Sequence, residues 1–315
     1  QVWAWDAWLE LFGSFVHAED VRDERGKKTG QRRMLFPRFH QWDAVRKLLA
    51  NTVVTGPGVN RLVMHSAGSG KSNTIAWTAH RLTRLHTPGD PAALSGQVKD
   101  AGLGTDAAIF HKVIVVTDRR VLDSQLQETV GAFEHTPGIL VRVDERMTSA
   151  DLKDALESNA ARIIITTLQK FPYVADYLNE DGGKVAGRRF AVIIDEAHSS
   201  TSGEAMKDLK GVLTHTTDED AALAEQEARE AAVEAGERDA ADVLAESMTA
   251  RAAQSNVSFY AFTATPKPKT LELFGTRTAD AAGKEVLRPF HLYSMRQAID
   301  EGFILDVLAN YTSYA

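Results

Sequence analysis

Five short runs of apolar, largely β-branched residues recur along the chain, and segments with helical spacing separate them. Each run is apolar almost throughout, which is typical of strands that are covered on both faces. Strands of this kind separated by helices predict an α/β fold with a mostly parallel sheet and helices on both faces. The runs are RLVMHS (61–66), KVIVVTD (112–118), RIIITT (162–167), FAVIIDEAH (190–198) and VSFYAFTATP (257–266).

A glycine-rich loop follows the first run and opens a helix, in the segment HSAGSGKSN (65–73). The strict phosphate-loop pattern is G-x-x-x-x-G-K-[ST], and His65 stands where its first glycine belongs. Such loops direct backbone N–H groups at an anion beside a helix N-terminus. The strand–loop–helix context predicts a phosphate site and makes His65 a structural residue that ends the strand. The expected nucleotide contacts are Gly68, Ser69, Gly70, Lys71, Ser72 and Asn73.

Within that loop, the sequence predicts an ATP site with a magnesium ion. Lys71 is expected to reach the β- and γ-phosphate oxygens, and Ser72 to ligate Mg²⁺. Asp195 and Glu196 end the fourth apolar run, which we expect in a strand next to the loop's own strand. Because idle buried carboxylates are costly, Asp195 is assigned to Mg²⁺ through water and Glu196 to activating the attacking water.

His198 follows these carboxylates, but no second His or Cys lies at metal-ligand spacing. We therefore predict a contact that couples the ATP site to neighbouring segments.

The net charge of −7 comes from one segment of the chain. Residues 218–251 carry 11 acidic and 3 basic side chains, so the remainder is close to neutral. The overall charge therefore does not exclude a DNA partner. The acidic segment, about 214–255, predicts a helical insert that is either an inert solvated excursion or a docking surface for partner subunits.

The chain has no cysteine, no apolar run of about 20 residues and no signal peptide at its start. These features exclude disulfides and thiolate metal sites and predict a cytoplasmic protein with no membrane partner. The first residue is Gln1, so we expect an excised fragment.

Residues 1–34 are expected to form an N-terminal helix and a charged linker. An aromatic face is predicted to dock on the body of the protein or on an upstream domain. The segment RDERGKKTGQRRM is expected to be a loop, either solvated or in contact with phosphates through its basic side chains. Residues 87–105 are expected to form a long mobile loop. The aromatic face comprises Trp5, Trp8, Leu9, Phe12 and Val16, and the basic residues are Lys27, Lys28, Arg32 and Arg33.

The words GSGKS, DEAH and FTATP together resemble the first three motifs of superfamily-two helicases and translocases. That resemblance implies a RecA-like P-loop NTPase lobe that uses ATP and Mg²⁺. It also implies that Thr263 and Thr265, with His198, couple nucleotide state to the nucleic-acid track. Gln41, in PRFHQWDAVRKLL, stands where that superfamily places a glutamine that reads the adenine edge.

Longer sequence segments resemble the motor part of the R (restriction) subunit of type I restriction–modification enzymes, from about Arg38 to the C-terminus. The resemblance implies an ATP-driven translocase of double-stranded DNA that works with methylation and specificity subunits. Cleavage is expected from a nuclease domain upstream. The words are HSAGSGKSNTIAWTAHRL, VIVVTDRRVLDSQL, IIITTLQKF, VIIDEAHSSTSGEAM, FTATPKPKTLELFG and YSMRQAIDEGFILDVLANYTSY.

The same resemblance implies a division of the chain and a set of DNA contacts. Residues 35–290 are expected to form the first RecA-like lobe, and residues 291–315 to begin a second, truncated lobe. Arginines that complete catalysis are expected from that second lobe, so this chain alone should hydrolyse ATP poorly. Candidate contacts with the DNA backbone follow strand carboxyl ends. They are Thr117, Arg119, Arg120, Thr166, Thr167 and Gln169.

Two alternative functions stay open. One is the motor lobe of another superfamily-two DNA or RNA helicase, which strand separation by the complete protein would favour. The other is a nucleotide-sensing binding module without catalysis, which predicts tight ATP binding and no response to DNA.

Overall fold

The computed structural model describes residues 4–22, 28–117, 126–127, 129–133, 138–143, 149–167, 187–195, 256–280 and 283–305. Among the site candidates, Arg119, Arg120, Gln169, Glu196 and His198 lie outside these ranges, as does the acidic segment 214–255. In the described part, no helix is long and apolar enough to cross a membrane.

Helices and strands alternate through most of the described chain. In order they are α1 (Trp5–Ser14), β1 (His17–Arg22), β2 (Lys28–Leu35), α2 (Phe39–Thr55), β3 (Arg61–His65), α3 (Lys71–Leu82), a 3₁₀ turn (Pro91–Ala93), α4 (Gly96–Asp100), β4 (Lys112–Thr117), β5 (Leu140–Arg142), α5 (Ser149–Glu157), β6 (Ile163–Thr167), β7 (Phe190–Ile194), β8 (Val257–Thr263), α6 (Pro268–Phe274), β9 (Thr276–Ala279), β10 (Glu285–Arg288), β11 (His291–Tyr293) and α7 (Met295–Asp300).

Seven of these strands form one sheet, in the order β11-β3-β8-β7-β4-β6-β5, and every neighbouring pair is parallel. Its side chains alternate between two hydrophobic clusters. Along β4, Val113 and Val115 pack into the cluster that also holds residues of α2 and α3. Ile114 and Val116 pack into the other, which includes Leu156 of α5. Both faces are covered, so the predicted α/β fold with a parallel sheet is confirmed.

The strand that precedes Asp195 is not the neighbour of the loop strand. We expected β7 beside β3, but β8 lies between them and pairs with both. Strand order depends on crossover connections between elements that are remote in sequence, and apolar runs carry no information about it.

Two short strands at the sheet edges, β5 and β11, are absent from the sequence prediction. The first residue of β11, His291, pairs with Val63 of β3. Residues 291–293, expected to begin a second lobe, form β11 and extend the sheet that contains the loop strand. Residues 306–315 lie outside the described part.

Helix α1 docks on the body with a different face from the one predicted, and docking of the aromatic face on an upstream domain stays a prediction. Trp5, Leu9 and Phe12 are 82%, 65% and 57% exposed, whereas Ala7 and Phe15 are buried. The Phe15 ring lies 5.7 Å from the Trp77 ring, and the Phe15 carbonyl accepts a hydrogen bond from the Trp77 indole. Helical spacing of large aromatic residues favoured the stripe of Trp5, Leu9 and Phe12, but spacing alone does not tell which stripe of a helix meets the body.

The charged segment after α1, expected to be a loop, forms an antiparallel hairpin in its described part. Arg32 pairs with Asp20 at 3.2 Å, and Arg33 pairs with Glu19. These cross-strand ion pairs engage two of the arginines considered as phosphate contacts.

The segment 87–105, expected to be a mobile loop, contains the 3₁₀ turn and α4. The hydroxyl of Ser95 caps α4, and Val98 is fully buried. This local anchoring holds the segment against the body.

Candidate nucleotide-binding site

The glycine-rich loop joins β3 to α3, as predicted from the strand–loop–helix pattern. His65 is the last residue of β3, and Lys71 is the first residue of α3. Gly68 and Gly70 have φ angles of +73° and +80°, in the left-handed region where glycine is favoured. A Cβ at Gly70 would lie 2.6 Å from the amide nitrogen of Gln41, so a side chain there would displace that amide from its hydrogen bond to the Gly70 carbonyl.

The start of α2 holds the loop through three consecutive backbone carbonyls. Each carbonyl accepts a hydrogen bond from a side chain of α2 or of the residue before it. Within the loop, the Ser69 N–H donates to the Ser66 carbonyl at 3.3 Å. The bonds run from Arg38 to Gly68 (3.4 Å), from His40 to Ser69 (3.0 Å) and from Gln41 to Gly70 (2.9 Å).

Two loop hydroxyls have a further capacity to bond. The Oγ atoms of Ser66 and Ser69 are buried, and within the described residues they have no hydrogen-bond partner. Buried hydroxyls without partners are uncommon, and a polar ligand in the loop would satisfy such groups. Together with the two positive-φ glycines, these hydroxyls fit a loop that cradles an anion.

Gln41 reaches this site from below the loop. It is only 3% exposed, and its amide oxygen accepts from the Arg38 backbone N–H at 2.8 Å. Its amide nitrogen donates to the Gly70 carbonyl. Reading an adenine edge, as the resemblance implies, would therefore require Gln41 to exchange these bonds.

The first turn of α3 brings the remaining loop candidates together. Lys71, Ser72 and Asn73 are half-buried at the helix N-terminus, which Gly70 caps. A helix N-terminus adds positive potential to the lysine charge. The arrangement therefore concentrates positive potential and donors at one end of the sheet.

Asp195 follows β7 at the same end of the sheet. It is half-buried, and its backbone N–H donates to the Val116 carbonyl at 3.0 Å. Because β8 intervenes, β7 and β3 are two strand spacings apart, roughly 10 Å.

Thr263 ends the intervening strand β8. It is fully buried and pairs in register with Met64 of the loop strand. Its hydroxyl accepts from the backbone N–H of Thr265, which is exposed. Thr263 therefore lies at the end of the strand between the loop strand and the strand that precedes Asp195, and the coupling role of the two threonines stays a prediction.

The described DNA-contact candidates lie on β4 and β6. Thr117 pairs in register with Thr167, and Val116 pairs with Thr166. Thr117 and Thr166 are only 3% and 1% exposed, whereas Thr167 is half-buried. Of these three, Thr167 alone presents appreciable surface to a partner.

Four polar residues near the loop were missed by the sequence analysis: His40, Asp43, His291 and Tyr293. His65 Nε2 lies 2.9 Å from His291 Nδ1, and His291 Nε2 lies 3.0 Å from Asp43 Oδ2. The His40 ring stacks on Tyr293 at 3.7 Å. Their spacing in the sequence gives no signal, because β11 joins β3 only in the folded sheet.

Burial dominates the electrostatics of this group. It lowers the pKa of His65 to about 2, with further contributions from His291, His40 and Lys71. Burial also lowers the pKa of His40 and of His291, although Asp43 opposes the shift at His291. The imidazoles are therefore neutral at physiological pH. No cluster in the described ranges has the three or more ligands that would hold a metal ion by itself.

Comparisons with known proteins identify relatives over most of the chain. The family model described as SWI2/SNF2 ATPase matches residues 40–314. The type I restriction enzyme SauMSSORF170P endonuclease subunit of Staphylococcus aureus strain MSSA476 is 24% identical over 279 residues, 88% of this chain and 22% of the relative. The SsaAORF53P endonuclease subunit of Staphylococcus saprophyticus is 23% identical over 250 residues, 79% of this chain and 20% of the relative.

The chain thus spans about a fifth of the length of these curated relatives. Among solved structures, the UvsW helicase from bacteriophage T4 is 13% identical with a TM-score of 0.38, covering 82% of this chain and 58% of that chain. The assignment of the fold depends on the sheet order and the glycine-rich loop described above, and not on this structural similarity.

Proposed function

The chain belongs to the SWI2/SNF2 ATPase family, and on that premise we propose that it is the first motor lobe of a type I restriction enzyme R subunit. In this proposal the lobe binds ATP with Mg²⁺ and drives translocation of double-stranded DNA. The family match supports the ATPase part, and the similarity to restriction endonuclease subunits supports the finer assignment.

One observation carries the nucleotide site: side chains at the start of α2 hold the carbonyls of Gly68, Ser69 and Gly70. A peptide unit whose carbonyl is held on one side turns its N–H to the other, which applies to the units of Ser69 and Gly70; the N–H of the Gly68 unit, on Ser69, donates to the Ser66 carbonyl. Consecutive N–H groups presented beside a helix N-terminus bind phosphate groups. The loop therefore suits the β- and γ-phosphates of a nucleoside triphosphate.

Each remaining residue has a defined task in this proposal. Lys71 would neutralise phosphate charge, and the hydroxyl of Ser72 would ligate Mg²⁺. Asp195 would help to hold the same ion through water. Glu196, outside the described residues, activates the attacking water. Bound Mg·ATP supplies the phosphoryl group whose transfer to water powers movement.

The partners proposed are double-stranded DNA and the methylation and specificity subunits of a restriction–modification complex. Thr167 is the accessible candidate for the DNA backbone among the described residues, and Thr263 and Thr265 would transmit nucleotide state. The proposed lobe covers residues 35–305, because β11 completes its sheet. Residues 1–34 serve as the N-terminal helix and hairpin that precede it.

The test is binding and hydrolysis of ATP by this chain, with Mg²⁺, with and without duplex DNA. We expect wild type to bind ATP and Lys71→Ala to lose binding. Lys99→Ala, an exposed lysine of α4, is the matched control and should bind as wild type. Equal binding by wild type and Lys71→Ala would refute the site. Tight binding that never responds to DNA in the longer protein would favour a nucleotide-sensing module instead.

A further inference from the structure

A chain of three side chains from three elements lies directly under the entry of the glycine-rich loop. His65 ends β3, His291 begins β11, and Asp43 lies in α2. The two histidines are 0% and 7% exposed, and the links between the three side chains are 2.9 and 3.0 Å long. Buried polar groups that are bonded in series fix one another's orientation.

The chemistry of these groups determines which atom donates and which accepts at each hydrogen bond of the series. An ionised Asp43 only accepts, so the proton between it and His291 lies on His291 Nε2. A neutral His291 then has a bare Nδ1, which accepts from the Nε2–H of His65. Both imidazoles are thereby held in the Nε2–H tautomer, with each ring orientation set by the next group.

The surroundings keep the two rings neutral. His65 faces His291 from β11, His40 from α2 and Lys71 from α3. Beyond it, His291 faces Asp43 and Lys47, both on α2. Tyr293 lies 6.0 Å from the His65 ring, and its hydroxyl donates to Glu301. An added proton on His65 would be buried near the Lys71 cation, which disfavours it. The donor and acceptor at each hydrogen bond therefore stay as described.

The hydrogen-bonded series of Asp43, His291 and His65 fixes the loop at its entry, while α2 fixes it further along. Ser66, the residue after His65, donates its backbone N–H to the Tyr293 carbonyl at 3.0 Å. The next carbonyls of the loop are held by α2, the same helix that carries Asp43. Strand β11 and helix α2 therefore hold both parts of the loop, and the three side chains tie these two elements to β3.

We infer that Asp43, His291 and His65 are positioning residues that hold the glycine-rich loop in its nucleotide-binding geometry. This inference rests on the proposed function. It explains why a histidine replaces the first glycine of the strict pattern: the imidazole reaches β11 and anchors the loop through a side chain.

The experiment compares nucleotide affinity in three variants of this chain, using a fluorescent non-hydrolysable ATP analogue with Mg²⁺. We expect His291→Ala to weaken binding about tenfold, the equivalent of one lost charge-assisted hydrogen bond. His291→Gln, whose amide has both a donor and an acceptor, should restore much of the affinity. His111→Ala is the control, since His111 is half-buried and bonded to the Arg189 backbone at the opposite end of the sheet.

The control separates positioning from general stability. Thermal unfolding should show that both alanine variants lose stability, while only His291→Ala loses affinity. Equal affinity in His291→Ala and wild type, or an equal loss in His111→Ala, would overturn the inference.

Two further measurements keep the inference testable whatever the variants do. If wild type binds no nucleotide, the proposed function fails, and amide hydrogen exchange of residues 66–71 decides the inference. Faster exchange in His291→Ala than in His111→Ala supports positioning, and equal exchange overturns it. In wild type, nitrogen NMR should show both rings as Nε2–H tautomers, and an Nδ1–H signal from either ring would contradict the chain.

Discussion

The side-chain amide of Gln41 donates a hydrogen bond of 2.9 Å to the backbone carbonyl of Gly70. Gly70 has a left-handed backbone and caps α3, so this contact joins the start of α2 to the point where the glycine-rich loop becomes a helix. A side chain at Gly70 would have to displace the Gln41 amide, because a Cβ there lies 2.6 Å from the amide nitrogen. Loop geometry and helix packing are therefore one structural feature.

Substitution of Gly70 tests that tight fit. Gly70→Ala places a Cβ 2.6 Å from the Gln41 nitrogen and also imposes a left-handed alanine, which costs about 1–2 kcal/mol. Gly102→Ala is the control, because Gly102 has a φ of +72° and a Cβ there would meet nothing within 4 Å. We expect both variants to melt earlier and only Gly70→Ala to lose nucleotide binding. Loss of binding in both variants would show that lowered stability, and not the contact at Gly70, is responsible.

Removal of the Gln41 amide should loosen the loop without removing the lysine. Gln41→Ala breaks the bonds to the Gly70 carbonyl and the Arg38 N–H. At about 1 kcal/mol for each of the two bonds, we expect nucleotide affinity to fall by up to about thirtyfold. Titration with a fluorescent ATP analogue measures the effect. Gln97→Ala, an exposed glutamine in α4, should bind as wild type.

Stability should fall in mild acid because of His65. The pKa of His65 is lowered from 6.5 to about 2, so the unfolded chain takes up a proton below pH 6.5 that the folded chain refuses. The free energy of unfolding should therefore drop by about 1.4 kcal/mol per pH unit below that point for this one group. Urea unfolding of wild type and His65→Gln at several pH values measures the two slopes. Equal slopes would contradict a buried neutral His65.

Two aromatic residues, Phe12 in α1 and Phe15 directly after it, should contribute very differently to stability. Phe15 is 1% exposed against Trp77, whereas Phe12 is 57% exposed. We expect Phe15→Ala to cost about 3–5 kcal/mol and Phe12→Ala less than about 1 kcal/mol. Chemical denaturation gives both values. A larger loss for Phe12→Ala would mean that the aromatic face predicted from the sequence docks after all.

Lys112 should behave as a structural residue despite its charge. It is buried, and its ammonium donates to the carbonyls of Ala155, Ser158 and Ala161 at 2.5–2.9 Å, around the end of α5. Lys112→Met leaves these carbonyls without that donor, so we expect a loss of about 3 kcal/mol. Lys153→Met, an exposed lysine on α5, should change stability by less than about 0.5 kcal/mol. Equal losses in denaturant would contradict this role.

The candidate site divides into a local part and a part made by remote residues. Gly68, Gly70 and Lys71 belong to one short sequence motif. The motif predicted a tight glycine turn after β3 and the start of α3 at its end. Asp43 and His291 are 248 residues apart in the sequence and meet only because β11 pairs with β3. No local pattern contains that pairing.

By itself, the sequence determined the five apolar strands at the centre of the sheet, that the sheet is parallel and covered on both faces, and where the glycine-rich loop lies. These properties follow from local apolar periodicity and from the backbone freedom of glycine. Only the tertiary structure decided that β8 separates the loop strand from Asp195, that Ala7 and Phe15 dock α1, and that His65 meets His291. The physical reason is that strand order and helix docking depend on packing between segments far apart in the chain, where many arrangements satisfy the same local pattern.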